Sequence, residues 1–165
     1  PLEILASILG GGMSSRLFYE IREKRGISYY VRTTSDHSQD VGYLASYVGA
    51  DPKRIDEAIK VVIDEYRKVT QDGEITEDEL KKAKEYIKGH FVLELEDTRT
   101  SAIMYASQEI LEKEHKNPDQ ILDEIDAVKL SDVQRVAKEF LDTKKLSLAV
   151  IGNFESKERF EELLK

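Results

Sequence analysis

Residues 10–31 read GGGMSSRLFYEIREKRGISYYV: a glycine triplet, two serines, a charge-crowded segment and a further glycine, then a β-branched and aromatic run. The residues just before, LEILASIL (2–9), read as a helix, and glycine suits its end because no Cβ obstructs the C-terminal turn. Ser14 or Ser15 then offers an N-cap for a second helix over 15–24, which Gly26 ends. A phosphate loop does not fit, because Met13-Ser14-Ser15-Arg16 follows the glycines where Gly-Lys-Ser/Thr would open the helix. A dinucleotide fingerprint does not fit either, since a helix rather than a strand precedes the glycines. The triplet reads as a tight helix-to-helix turn, with close backbone approach to a packed neighbour as an added role.

Outward from this stretch, residues 27–34 (ISYYVRTT) and 41–49 (VGYLASYVG) predict two strands, joined through the polar SDHSQD as a hairpin. Asp51-Pro52 places an N-cap ahead of proline at the first helical position, and Ile55, Ile59, Val62, Tyr66 and Val69 then fall on one helical stripe. Gly73 closes that helix. Thr76 and Glu79 form a capping-box pattern opening a long helix with Leu80, Ala83, Ile87 and Phe91 on one face. A helix over 98–112 follows. Asn117-Pro118 starts another, with Ile121, Leu122 and Ile125 inward. Ser131 and Gln134 form a second capping-box pattern ahead of Val133, Val136, Ala137 and Phe140. LSLAVI (146–151) predicts a last strand, and 155–164 a terminal helix. This order predicts an α+β fold, an antiparallel sheet covered by helices, as one domain over 1–165. Three strands are few for so many helices, so a further strand is expected upstream of Pro1 or from a partner.

The composition narrows the function. The 165 residues carry a formal charge of −8, which argues against nucleic acid as a partner. The one candidate basic stripe, Arg16, Arg22, Lys24 and Arg25, is interleaved with acids. No apolar run is long enough to span a bilayer, and Pro1-Leu2-Glu3 is no basic signal-peptide start, so no membrane partner is expected. The start without Met suggests a fragment or a processed piece. The absence of cysteine removes disulfides and thiolate metal sites and fits a reducing, cytoplasmic setting.

Metal ligands are scarce. Of the three histidines, His37 falls in the hairpin turn, and His90 and Glu94, four apart, share a helix face without a third ligand. The stretch LEKEH (111–115) looks like an HxxEH motif with Leu111 in place of the first His. No metal site is expected in this chain. Arg22, Lys24 and Arg25 near a helix C-terminus complement its dipole, which suffices to explain the charges. Arg22 and Tyr29 also admit a sharper reading, an Arg at a helix end and a Tyr at a strand start facing one cleft. The guanidinium offers a donor fork to a peptide carbonyl or carboxylate, and the phenol donates to an oxyanion. Alternation argues the other way: Ile27, Tyr29, Val31 and Thr33 share one strand face and Ser28, Tyr30, Arg32 and Thr34 the other, which would bury Tyr29 and expose Tyr30. Which tyrosine faces a cleft stays open.

Taken together, LGGGMSSRLFYEIREKRGISYYV, the DPKRIDEAI helix, EITEDELKKAKEYIKG and the terminal IGNF resemble the C-terminal half of pitrilysin/insulinase-family zinc metallopeptidases, nearest to the mitochondrial-processing-peptidase-like bacterial branch. The resemblance covers nearly the whole chain. It implies a half-domain of the pitrilysin/processing-peptidase type, lacking its first strand here, that closes like one valve of a clam shell on unfolded peptide substrates. The zinc and its HxxEH motif would belong to an N-terminal half, on the same polypeptide or a separate subunit. This half would supply an Arg and, seven residues on, a Tyr, which match Arg22 and Tyr29. Arg22 would bind the peptide backbone and Tyr29 would stabilise the tetrahedral oxyanion opposite the zinc. Tyr30 stands where a small residue is expected. By the same resemblance the chain alone would not hydrolyse peptides, and a homodimer is a further partner option. The alternative within the family is a catalytically inactive scaffold or assembly subunit, which needs neither Arg22 nor Tyr29. Outside it stands an acidic α+β domain that binds some protein partner, which accounts for the composition but not for the set of motifs.

Overall fold

In the computed structural model, residues 1–112, 114–142 and 145–164 are described. Helix α1 (Leu2–Gly10) is apolar almost all round, and such a helix belongs inside. Ile4, Leu5, Ile8 and Leu9 form the centre of the main core, and α1 packs against the hairpin, α3 (Glu77–Glu94) and α6 (Leu130–Phe140). Leu17 and Ile21 join that core from the segment after the glycines, as do Tyr66 and Val69 of α2 (Ile55–Val69) and Val133 and Ala137 of α6. A smaller cluster of Ile59, Ile63 and Phe160 fastens α7 (Glu158–Leu163) to α2, with Phe154 and Phe160 edge to face at 5.1 Å. The remaining helices are α4 (Thr98–Ser107), continued by a π-helical turn over Gln108–Glu112, and α5 (Pro118–Ala127). No helix among the described residues is long and apolar enough to cross a membrane.

The hairpin is β1 (Tyr30–His37) and β2 (Gly42–Gly49), antiparallel, with Tyr30 opposite Gly49 and His37 opposite Gly42. It is a two-stranded sheet among otherwise helical elements. The inner face carries Val31, Leu44 and Val48 against the core. Between them Thr33 Oγ1 lies 2.6 Å from Ser46 Oγ, which accepts from the Tyr66 hydroxyl at 2.7 Å, so the buried polar groups satisfy one another.

Four expectations shift. Strand β1 begins at Tyr30 rather than Ile27 and runs through Ser35, Asp36 and His37, polar residues that pair with Leu44, Tyr43 and Gly42. Asp51 does not cap α2 directly: its carboxylate and carbonyl accept from the Lys53 and Arg54 amides, each at 2.8 Å, in a turn ahead of Ile55. Helix α6 opens at Leu130, where Asp132 accepts from the Lys129 amide at 3.0 Å, so Ser131 lies within the helix. LSLAVI (146–151) forms no strand, because a strand exists only by pairing and no ladder reaches it. Leu146 and Val150 still pack inward, while Ile151 is fully exposed. The Thr76–Glu79 capping box forms as the sequence predicts, and α5 starts after Asn117 as expected, with Gln120 completing a capping box there.

The glycine triplet earns its place through contact distance. A Cβ on Gly10 would meet the Thr33 hydroxyl and stand 2.6 Å from the Thr33 backbone nitrogen, so a bare Cα lets α1 lie directly on β1. Gly10→Ala is expected to cost about 1–3 kcal/mol, the usual range for overpacking, even after the higher helix propensity of alanine. Thermal unfolding measures this, and an unchanged Tm would show that helix and strand separate freely.

Candidate functional site

The site is built where the glycine-rich turn hands over to the hairpin. After Gly12 the Ser15 hydroxyl donates to the Gly12 carbonyl oxygen at 2.6 Å, so it closes the turn and does not act as the expected helix cap. The chain then winds as a π-helix over Phe18–Glu23 in place of the α-helix expected over 15–24, with the Lys24 amide donating to the Tyr19 carbonyl at 2.9 Å. π turns of this kind recur at functional positions. Gly26 reverses the chain at φ +56°, a conformation that side chains resist, and the Ile27 amide returns to the Ile21 carbonyl at 2.8 Å. Arg54 clamps this reversal by donating to the Arg25 and Gly26 carbonyls, each at 3.1 Å.

Ser28 decides where Tyr29 goes. It is buried, its hydroxyl lies 2.5 Å from the Gly49 carbonyl oxygen, and it accepts from the Tyr30 amide at 3.0 Å. This side-chain bonding stands in for a ladder bond, and the strand begins only at Tyr30. Ile27 and Ser28 are therefore both buried, and Tyr29 is thrown clear at 88% exposure. The alternation that would have buried Tyr29 does not apply, because residue 29 precedes the strand. Tyr30, at 56%, stands on the outer sheet face.

Arg22 and Tyr29 do come together. The Arg22 guanidinium carbon sits 4.8 Å from the Phe18 ring centroid and 5.8 Å from that of Tyr29, within cation–π range of both. Its ion pair to Glu23 is long, at 3.7 Å, and both side chains are solvent-accessible. The Tyr29 hydroxyl makes no hydrogen bond among the described residues. The pair thus presents a donor fork and a free phenol side by side. Phe18, the ring beneath the guanidinium, was not anticipated from the sequence, though its place four residues before Arg22 is the available signal.

The other cations of the basic stripe are committed elsewhere. Lys24 and Arg25 both bind Glu20, the first at 3.1 Å. Burial pushes the Glu20 carboxyl up, but these two cations outweigh it and leave the pKa below its ordinary 4.5. Arg16 grips Glu79 with two hydrogen bonds, of 2.6 and 3.0 Å, donates to the Glu74 carbonyl, and approaches buried Glu65 at 3.8 Å.

The histidines do not fit a zinc centre. His90 Nδ1 lies 3.0 Å from the Tyr86 carbonyl oxygen, and its ring lies 4.1 Å from the Tyr86 ring. His115 lies 2.8 Å from Glu109. Among the described residues no three His, Cys, Asp or Glu side chains gather into a metal-holding group.

Residues 1–87 match the family described as the peptidase M16 inactive domain, just over half of the chain. The chain belongs to this family. The resemblance to pitrilysin/insulinase-type peptidases is thereby shown at the family level, as is the fold. A protein of Streptomyces coelicolor named as an uncharacterized zinc protease is 37% identical over 155 residues, 94% of this chain and 33% of the relative. A Bacillus subtilis protein named in the same way is 35% identical over 151 residues, 92% of this chain and 36% of the relative. The crystal structure of a peptidase M16 inactive domain from Pseudomonas fluorescens superimposes with a TM-score of 0.70 at 21% identity, covering 85% of this chain and 33% of that one, and so shares the fold. This M16 domain spans about a third of the length of the two curated relatives, 33% and 36%.

Proposed function

We propose that residues 1–165 act as a single domain, the zinc-free C-terminal half of a zinc-dependent metalloendopeptidase of the processing-peptidase-like branch, working in the cytoplasm. It closes on unfolded peptides together with a zinc-bearing half. The juxtaposition of an exposed Arg22 with a free Tyr29 hydroxyl carries this reading. Arg22 holds the peptide backbone through its fork of donors, steadied by stacking on Phe18 and Tyr29. The Tyr29 hydroxyl donates to the oxygen that becomes negative as the scissile carbonyl turns tetrahedral. The zinc belongs to the partner half, since the donor set here does not suit it, and this chain alone is inactive.

The test is hydrolysis of an unstructured fluorogenic peptide with zinc present, by this chain alone and together with the segment encoded immediately upstream of residue 1. Hydrolysis by the combination and not by the chain alone is the expected result. Silence in both, with complex formation demonstrated, would instead favour the inactive scaffold or assembly subunit.

A further inference from the structure

Packing leaves the outer face of the hairpin unexplained. While Val31, Leu44 and Val48 turn inward, Tyr30, Arg32, Asp36, Tyr43 and Tyr47 stand exposed on the other side. The register sets Arg32 directly opposite Tyr47 and Asp36 opposite Tyr43, with Tyr30 two residues before Arg32 on the same face. The two charges on this face are in different situations. Asp36 is engaged with Tyr43, whose phenol its charge raises above the usual value. Arg32 has no ion pair among the described residues, although the chain is acidic and Arg16, Lys24, Arg25, Arg54 and Lys68 all have carboxylate partners. An unpaired guanidinium opposite Tyr47 and two residues from Tyr30 on the same face offers an anion a charged contact with two phenols nearby.

We propose that Arg32, with Tyr30 and Tyr47, forms a subsite for a Glu or Asp side chain of an extended peptide lying along the outer face of the hairpin. This rests on the peptide-holding role of Arg22 and Tyr29. At about 3.3 Å per strand residue, Arg32 lies roughly 7 Å along β1 from Tyr30, the residue that follows Tyr29. The subsite therefore selects an acidic residue a few positions from the bond held at Tyr29.

Binding tests this on the full-length protein that carries these residues, with metal chelated so that peptides stay intact. Labelled unstructured peptides, each with Glu or Lys at one position in turn, are titrated by fluorescence anisotropy. The Glu peptide is expected to bind about fivefold more tightly at one position, the scale of a partly exposed charge pair. The preference should fade at high salt, vanish in Arg32→Gln and reverse in Arg32→Glu. A Glu-to-Lys ratio that both Arg32 variants leave unchanged at every position overturns the subsite, even where Tyr29-dependent hydrolysis is present. A ratio reversed by Arg32→Glu without any hydrolysis in the metal-loaded protein leaves the subsite standing and removes the catalytic role. Absence of peptide binding overturns both.

Discussion

A Tyr29→Phe enzyme, assembled with its zinc-bearing half, is expected to lose about 10²-fold in kcat while its KM stays close to that of the parent. The magnitude follows from deleting one oxyanion donor, which costs on the order of 10²–10³ in kcat. The split follows from timing, because a hydrogen bond that strengthens only as the carbonyl oxygen becomes negative contributes little to ground-state binding. Phenylalanine keeps the ring beside Arg22, so the stacking survives and the variant isolates the hydroxyl. Nothing in the described fold depends on that hydroxyl, which projects into solvent without a hydrogen bond, and the variant should fold normally. Arg22→Gln should behave differently, raising KM by loss of the fork while kcat falls less. Steady-state kinetics on one fluorogenic peptide separates the two roles, and a Tyr29→Phe enzyme with undiminished kcat would remove the oxyanion assignment.

The placement of Tyr29 also shows where a sequence stops being readable. Helix α3 was legible because its determinants are local: Thr76 and Glu79 bond each other's backbone, and Leu80, Ala83 and Ile87 recur at helical spacing. The stripe of α2 was legible for the same reason. Tyr29 was not, because its exposure depends on the Ser28 hydroxyl reaching Gly49, a residue 21 positions away. A serine two residues ahead of the Tyr30 amide is a faint sign of such a turn, and alternation outweighs it. The π-helical winding over Phe18–Glu23 escapes periodicity, since Leu17 and Ile21 point inward with either winding. LSLAVI carries strand propensity in full, yet propensity supplies no partner. Spacing brought Arg22 and Tyr29 to attention, and only coordinates could show Phe18 beneath the guanidinium and a free phenol beside it.

The largest stability effect is expected from Arg16, the seventh residue of the same opening stretch. Its guanidinium joins three parts of the chain that are distant in sequence: the start of the π turn, Glu65 of α2 and Glu79 of α3. Glu65 is buried and also bonds Lys68 at 2.5 Å, while Glu79 doubles as the capping residue for Thr76. Arg16→Met would leave Glu79 without its cation in a half-dry setting and Glu65 with Lys68 alone, at a cost of about 3 kcal/mol. For a chain of this length that lowers Tm by roughly 6–12 °C. Acid should expose the same linkage. Burial pushes the Glu79 carboxyl up, but Arg16 and the Thr76 amide and hydroxyl prevail and hold it below its ordinary 4.5. A depressed carboxyl stabilises the fold at pH values above its unfolded pKa, and that stability is lost as pH falls through the folded pKa. The parent should therefore weaken on acidification below 4.5, whereas Arg16→Met, having lost the pair already, should show a shallower acid limb. Glu79→Gln added to Arg16→Met should restore part of the loss, because glutamine preserves the capping box and no longer needs a cation. Denaturant midpoints for the parent, the single variant and the double variant across pH 3–7 decide this. Equal acid limbs in all three would show that the Arg16–Glu79 pair adds nothing to the fold beyond its geometry.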